Sequence, residues 1–195
     1  MGELPQSMGL TRAGARPGDD IWVSGCVGGA WAALMHRWGK LTLDARVFPS
    51  AALAMDRPNP RNALGTALLS SATACADISD GLAQDLGHIL ERSGVDADVL
   101  WDAVPKHPAL AALSQEQQVE AAMSGGDDYE LVFTAPADKR GLIEQASISA
   151  LTPVTRIGRI IEKKQSGAPL AIRDASGRPL FLPVQGFDHF AQGAD

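Results

Sequence analysis

In DISDGLAQDLGHILERSGV, residues 77–95, a short strand-like approach ending in carboxylates runs directly into an amphipathic helix. Leu82, Leu86, Ile89 and Leu90 fall at i, i+4, i+7 and i+8, which places one apolar stripe on a helix that starts near Ser79 or Asp80. Gly94 is a natural C-terminal stop for it.

Upstream, Ile21 opens a β-type run (IWVSG), followed by the glycine turn CVGG and the helical stretch WAALMHRW. Residues 44–62 hold three prolines, two of them in RPNPR, and proline disfavours helix both at its own position and at the one before it; an ordered, exposed loop is expected. Leu64 to Ser71 resumes a helical pattern. Downstream, VDADVLWDAVP suggests a strand and Leu110 to Ala122 a helix. SGGDDYELVFTAP suggests a glycine turn into a strand at Tyr129 to Thr134, and Asp138 to Gln145 a further helix. TRIGRII, PLAIRD and RPLFLP suggest the strands of a terminal hairpin or meander. Helices and strands alternate, so the class is α/β or α+β, a mixed β-sheet flanked by helices.

A chain of 195 residues with 45% apolar and 21% charged residues has the composition of one globular domain. Residues 1–19, rich in Gly and Pro, have linker composition, and 20–195 form the domain. The net charge is −6 and the densest basic run is Lys163-Lys164, which argues against electrostatic binding to nucleic acid. Met1 to Arg16 contains neither a secretory h-region nor an apolar run of about 20 residues, so a soluble cytoplasmic protein without membrane contact is expected. Cys26 and Cys75 are expected to be buried, reduced thiols.

Two short segments could carry chemistry. Asp77, Ser79 and Asp80 stand where a strand meets a helix N-terminus; hard carboxylate oxygens suit Mg2+, and helix N–H groups suit phosphate. The plainer alternative makes Ser79 or Asp80 an N-cap and leaves Asp77 in solvent. In SGGDDYE, residues 124–130, two glycines permit close approach to a ligand and Asp127 and Asp128 could orient it, although a tight turn with solvated acids explains the same residues. Arg12, Arg57 and Arg61 could meet phosphate, or simply be solvated. Phe187 and Phe190 could stack on an aromatic ligand or pin the C-terminal tail. His36, His88, His107 and His189 are dispersed, and His88, three residues past Asp85, is expected on the polar face of its helix.

In this order, RAGARPGD, RPNPR, ADISDGLAQDLGHILERSGV, GGDDYELVF and GFDHF resemble the C-terminal half of the thiamine-monophosphate kinase family, within the superfamily of aminoimidazole ribonucleotide synthetase. The resemblance spans Arg12 to Phe190. It implies the fold of that superfamily's C-terminal domain and transfer of the γ-phosphoryl group of ATP to thiamine monophosphate, with Mg2+ as cofactor. By the same resemblance Asp77 and Asp80 match Mg2+ ligands, Ser79 and Arg12 match ATP contacts, and Asp127 and Phe187 match substrate contacts. Position 127 is usually glutamate in the family, and Asp128 is the alternative contact. In-line transfer needs no covalent protein intermediate, so no catalytic residue is assigned. The family's N-terminal domain, with further metal ligands and the homodimer contact, has no counterpart here; a chain with only part of the ligand set is expected to bind MgATP poorly and to turn over little. A noncatalytic binding fragment, or a superfamily member with another substrate, are the alternatives.

Overall fold

The computed structural model describes residues 9–180; Phe187, Phe190 and His189 lie outside the described residues. Six strands form one mixed sheet in the order β2-β4-β1-β5-β3-β6. They are β1 (Asp20–Ser24), β2 (Ala74–Asp77), β3 (Asp96–Leu100), β4 (Leu131–Ala135), β5 (Val154–Ile161) and β6 (Leu170–Arg173). All neighbours pair antiparallel except β3 and β6, which run parallel. The helices are α1 (Gly29–Arg37), α2 (Phe48–Asp56), α3 (Asn62–Ala67), α4 (Leu82–Ser93), α5 (Gln115–Ser124) and α6 (Arg140–Ser149).

The period-2 geometry of a strand sends alternate side chains to opposite faces, and both faces of the sheet are covered here. Ile21 and Val23 of β1 join the larger core with Leu82, Leu86, Ile89 and Leu90 of α4 and residues of α1 and α5. Trp22 points the other way, into a smaller core with Phe133, Leu64 and Leu68 at α3, and Ile143 of α6. The result is a three-layer α/β arrangement.

Three sequence expectations need correction. The segment 44–62 is not a loop throughout: Phe48–Asp56 is helical, because Pro49 sits in its first turn, where the proline nitrogen would have no intrahelical partner in any case. Helix α4 begins at Leu82, and its N-cap is Gly81 at φ 109°, with no side-chain cap from Ser79 or Asp80. The C-terminal strands β5 and β6 do not form a hairpin; β3 lies between them and pairs with both. Gly94, at φ 67°, ends α4 as expected.

Residues 11–15 are tied to the domain. Thr11 C=O accepts the Cys75 N–H along the free edge of β2, and Ser93 Oγ accepts N–H groups of Gly14 and Ala15. This anchorage brings Arg12 beside β2.

Candidate functional site

The segments DISDG and GGDDYEL meet beyond the ends of β2 and β4, where backbone bonds continue the ladder past the strands. Ile78 N–H donates to Glu130 C=O at 2.7 Å, Tyr129 N–H to Ile78 C=O at 2.9 Å, and Asp127 N–H to Ser79 C=O at 2.9 Å. The glycines make this approach possible. A Cβ on Gly126 would lie 2.7 Å from the Ser79 carbonyl oxygen, and one on Gly81 would lie 2.8 Å from that of Met123. Both glycines have positive φ, as the turn requires.

Asp85, in the first turn of α4, holds the DISD loop from beneath. One of its oxygens, Oδ2, accepts the N–H groups of Ser79 at 2.9 Å and Asp80 at 3.0 Å. The carboxylate is buried, and its other oxygen has no hydrogen-bond partner among the described residues. Burial raises its pKa against the pull of the two N–H bonds, and the nearby Asp80 and Asp77 raise it further. Half-buried His88 lies next to Asp80 and Asp85, with ligand atoms of all three within 4.8 Å of one another. Neither Asp85 nor this grouping was singled out from the sequence. The available signal was the i, i+3 spacing of Asp85 and His88.

The two acids of GGDD part company. Asp127 is exposed and accepts the Tyr129 hydroxyl at 3.2 Å. Asp128 turns inward: its carboxylate accepts the Gly28 N–H at 2.8 Å, at the N-terminus of α1. Burial pushes its pKa up to about 7, opposed by bonds from the Gly28 and Ala30 N–H groups. Asp128 therefore caps a helix distant in sequence and does not face solvent beside Asp127.

Arg61 departs from the phosphate-binding alternative. Its guanidinium binds both oxygens of buried Glu130, with Nε to Oε2 at 2.7 Å. Ser24 Oγ donates to the same carboxylate. The pair was hidden in sequence, because Glu130 is a strand-edge acid whose inward direction only register sets. The thiols are half-buried rather than buried; burial first, then neighbouring carboxylates, push Cys26 up to about 11 and Cys75 up to about 12, so both stay protonated.

Alongside β2 runs an open groove of about 870 Å3. Arg12, Arg61, Asp77 and Tyr129 supply part of its polar lining, and Pro58 and Pro60 of RPNPR part of its apolar wall. Asp77 is exposed, whereas Ser79 and Asp80 are half-buried. Four of the residues expected at the site, Asp77, Ser79, Asp80 and Asp127, thus share one loop cluster, and Arg12 reaches the groove that adjoins it.

The family model of the AIR synthase related protein, C-terminal domain, matches residues 16–170. The chain belongs to this family. Among individual relatives of the AIR synthase-related family, thiamine-monophosphate kinase of Salmonella typhimurium is 39% identical over 195 residues, 97% of this chain and 58% of the relative. The enzyme of Caulobacter vibrioides is 36% identical over 90% of this chain and 51% of its own length. A crystal structure of thiamine-monophosphate kinase from Stenotrophomonas maltophilia superposes with a TM-score of 0.79 at 40% identity, covering 87% of this chain and 54% of that one. The structure described as AaThiL complexed with AMPPCP and TMP superposes at 0.72 and 28% identity, covering 93% and 54%. This member of the family therefore spans a little over half the length of the relatives it matches.

Proposed function

We propose that this chain is the C-terminal part of a thiamine-monophosphate kinase, which transfers the γ-phosphoryl group of ATP to thiamine monophosphate in the cytoplasm. The observation that carries this reading is the bond from Asp127 N–H to Ser79 C=O, which holds the loop matching the metal and nucleotide residues against the loop matching a substrate residue. The relative solved with AMPPCP and TMP shares this fold over 93% of the present chain.

Mg2+ is the implied cofactor, and the residues fit it. Asp77 and Asp80 offer hard oxygen donors at an accessible edge, and none of the ion pairs among the described residues involves either carboxylate. When bound there, the ion would neutralise charge on the phosphoryl oxygens. Arg12 would bind the nucleotide as a cation beside the groove, and Ser79 would contact the ATP from the loop that Asp85 holds. Asp127 would orient the substrate, its shorter reach relative to glutamate being helped by its outward position on the turn. Phe187 is proposed as the aromatic contact to the thiamine ring. In-line transfer then needs positioning and charge neutralisation, with no covalent intermediate on the protein.

Because the chain spans 58% of the Salmonella relative, we propose that the remaining metal and phosphate ligands, and the homodimer contact, come from a separate segment. The test is formation of thiamine diphosphate from thiamine monophosphate and MgATP, with the chain alone and with the other part of a relative added. Turnover only in the mixture is expected. Full turnover by the chain alone would overturn the division of ligands, and none in an associated mixture would overturn the kinase reading.

A further inference from the structure

We propose that Asp80, Asp85 and His88 form a binding site for a first-row divalent transition metal, of the class of Mn2+ or Zn2+. The three side chains come from two turns of chain: Asp80 from the loop after β2, and Asp85 and His88 from one face of α4 at i, i+3 spacing. Their ligand atoms already lie within 4.8 Å of one another. A mixed set of carboxylate oxygen and imidazole nitrogen suits borderline ions better than Mg2+, which prefers oxygen alone.

The second, independent observation is the state of Asp85. The residue is 1% exposed, yet Oδ1 has no partner among the described residues, while Oδ2 already serves two backbone N–H groups. A buried carboxylate oxygen without a donor is costly, and a cation supplies what the protein leaves out. No ion pair among the described residues involves Asp77, Asp80, Asp85 or Asp127, so none of these carboxylates is directly paired with a Lys or Arg there. Ligands around a first-row ion stand roughly 3 Å apart, given bonds of about 2.0–2.2 Å. Asp80 and His88, both half-buried, can close that distance, whereas Asp85 is fixed by its two N–H bonds.

The site shares Asp80 with the proposed Mg2+ pair but differs from it in requiring His88 and not Asp77. The test is a titration of the metal-free chain with Mn2+ and with Zn2+, followed by calorimetry and, for Mn2+, by paramagnetic resonance. We expect the tightest-binding ion to be weakened at least tenfold by His88→Ala and by a much smaller factor by Asp77→Asn, which removes a neighbouring charge but no ligand. Substoichiometric Mn2+ should also broaden the imidazole NMR signals of His88 before those of His36 or His107. Absence of binding, or binding that is indifferent to His88→Ala, overturns the site. Binding lost in Asp77→Asn but kept in His88→Ala places the ion on the Asp77 and Asp80 pair; that outcome overturns this inference and leaves the kinase reading standing.

Discussion

Arg61 and Glu130, 69 positions apart in the chain, form a two-point ion pair in which the guanidinium spans both carboxylate oxygens. The Glu130 side chain is 7% exposed and that of Arg61 16%, so the pair is largely shut off from water at the wall of the groove. It connects the RPNPR segment to the start of β4. Ser24 of β1 shares the carboxylate through its hydroxyl, and that same oxygen accepts the Leu131 N–H at 2.8 Å. Burial of such a pair contributes little net stability, but loss of one partner strands the other charge.

Arg61→Met should therefore destabilise the fold by about 3–5 kcal/mol, because Glu130 would be left buried with only a hydroxyl donor. Arg61→Lys keeps the charge and loses the fork, and should cost less. Urea denaturation of both variants checks the order.

The contact between the two loops depends on Gly126. A Cβ there would meet the Ser79 carbonyl oxygen at 2.7 Å, with φ at 66°. Gly126→Ala should cost about 1–3 kcal/mol and should also weaken nucleotide and substrate binding together. Gly87, inside α4 with nothing within 4 Å of its would-be Cβ, is the control. Gly87→Ala should stabilise by about 0.5–1 kcal/mol, as read from the denaturation midpoint.

Asp128 makes stability depend on pH. Its folded pKa of about 7 lies above the ordinary aspartate value of 3.8, so the folded state holds more protons than the unfolded one between about pH 4 and pH 7. Stability from this group is present below the unfolded pKa and is lost as pH rises towards 7. Asp128→Asn keeps a carbonyl to accept the Gly28 N–H and removes the charge. The variant should lose this slope and be more stable than the parent at pH 8 by roughly 2–4 kcal/mol, with little difference at pH 4. Equal slopes in thermal melts across that range would refute the assignment.

In the completed enzyme, Asp77→Asn and Asp80→Asn should each lower turnover by about 10²–10³-fold, the worth of several kcal/mol of charge stabilisation. Excess Mg2+ should partly restore Asp77→Asn, whose carboxylate is exposed. Thiamine diphosphate formation measured against Mg2+ concentration gives the answer.

By itself, the sequence determined the elements whose signal is local. The stripe Leu82, Leu86, Ile89 and Leu90 defined α4, Gly94 its end, and IWVSG the strand β1, because helix and strand periods are written in neighbouring residues. The same locality made the DISDG and GGDDYEL segments visible as site candidates. Tertiary structure alone decided which acids face the site. Asp127 and Asp128 are neighbours in the chain, yet one is exposed and the other caps α1, since a turn with φ 58° at Asp127 sends them to different surroundings. It also decided the pairing of Arg61 with Glu130, the place of β3 between β5 and β6, and the gathering of Asp80, Asp85 and His88. Each of these depends on which distant segment removes a charge or a strand edge from water, and that free energy is settled only when the whole sheet and its helices assemble.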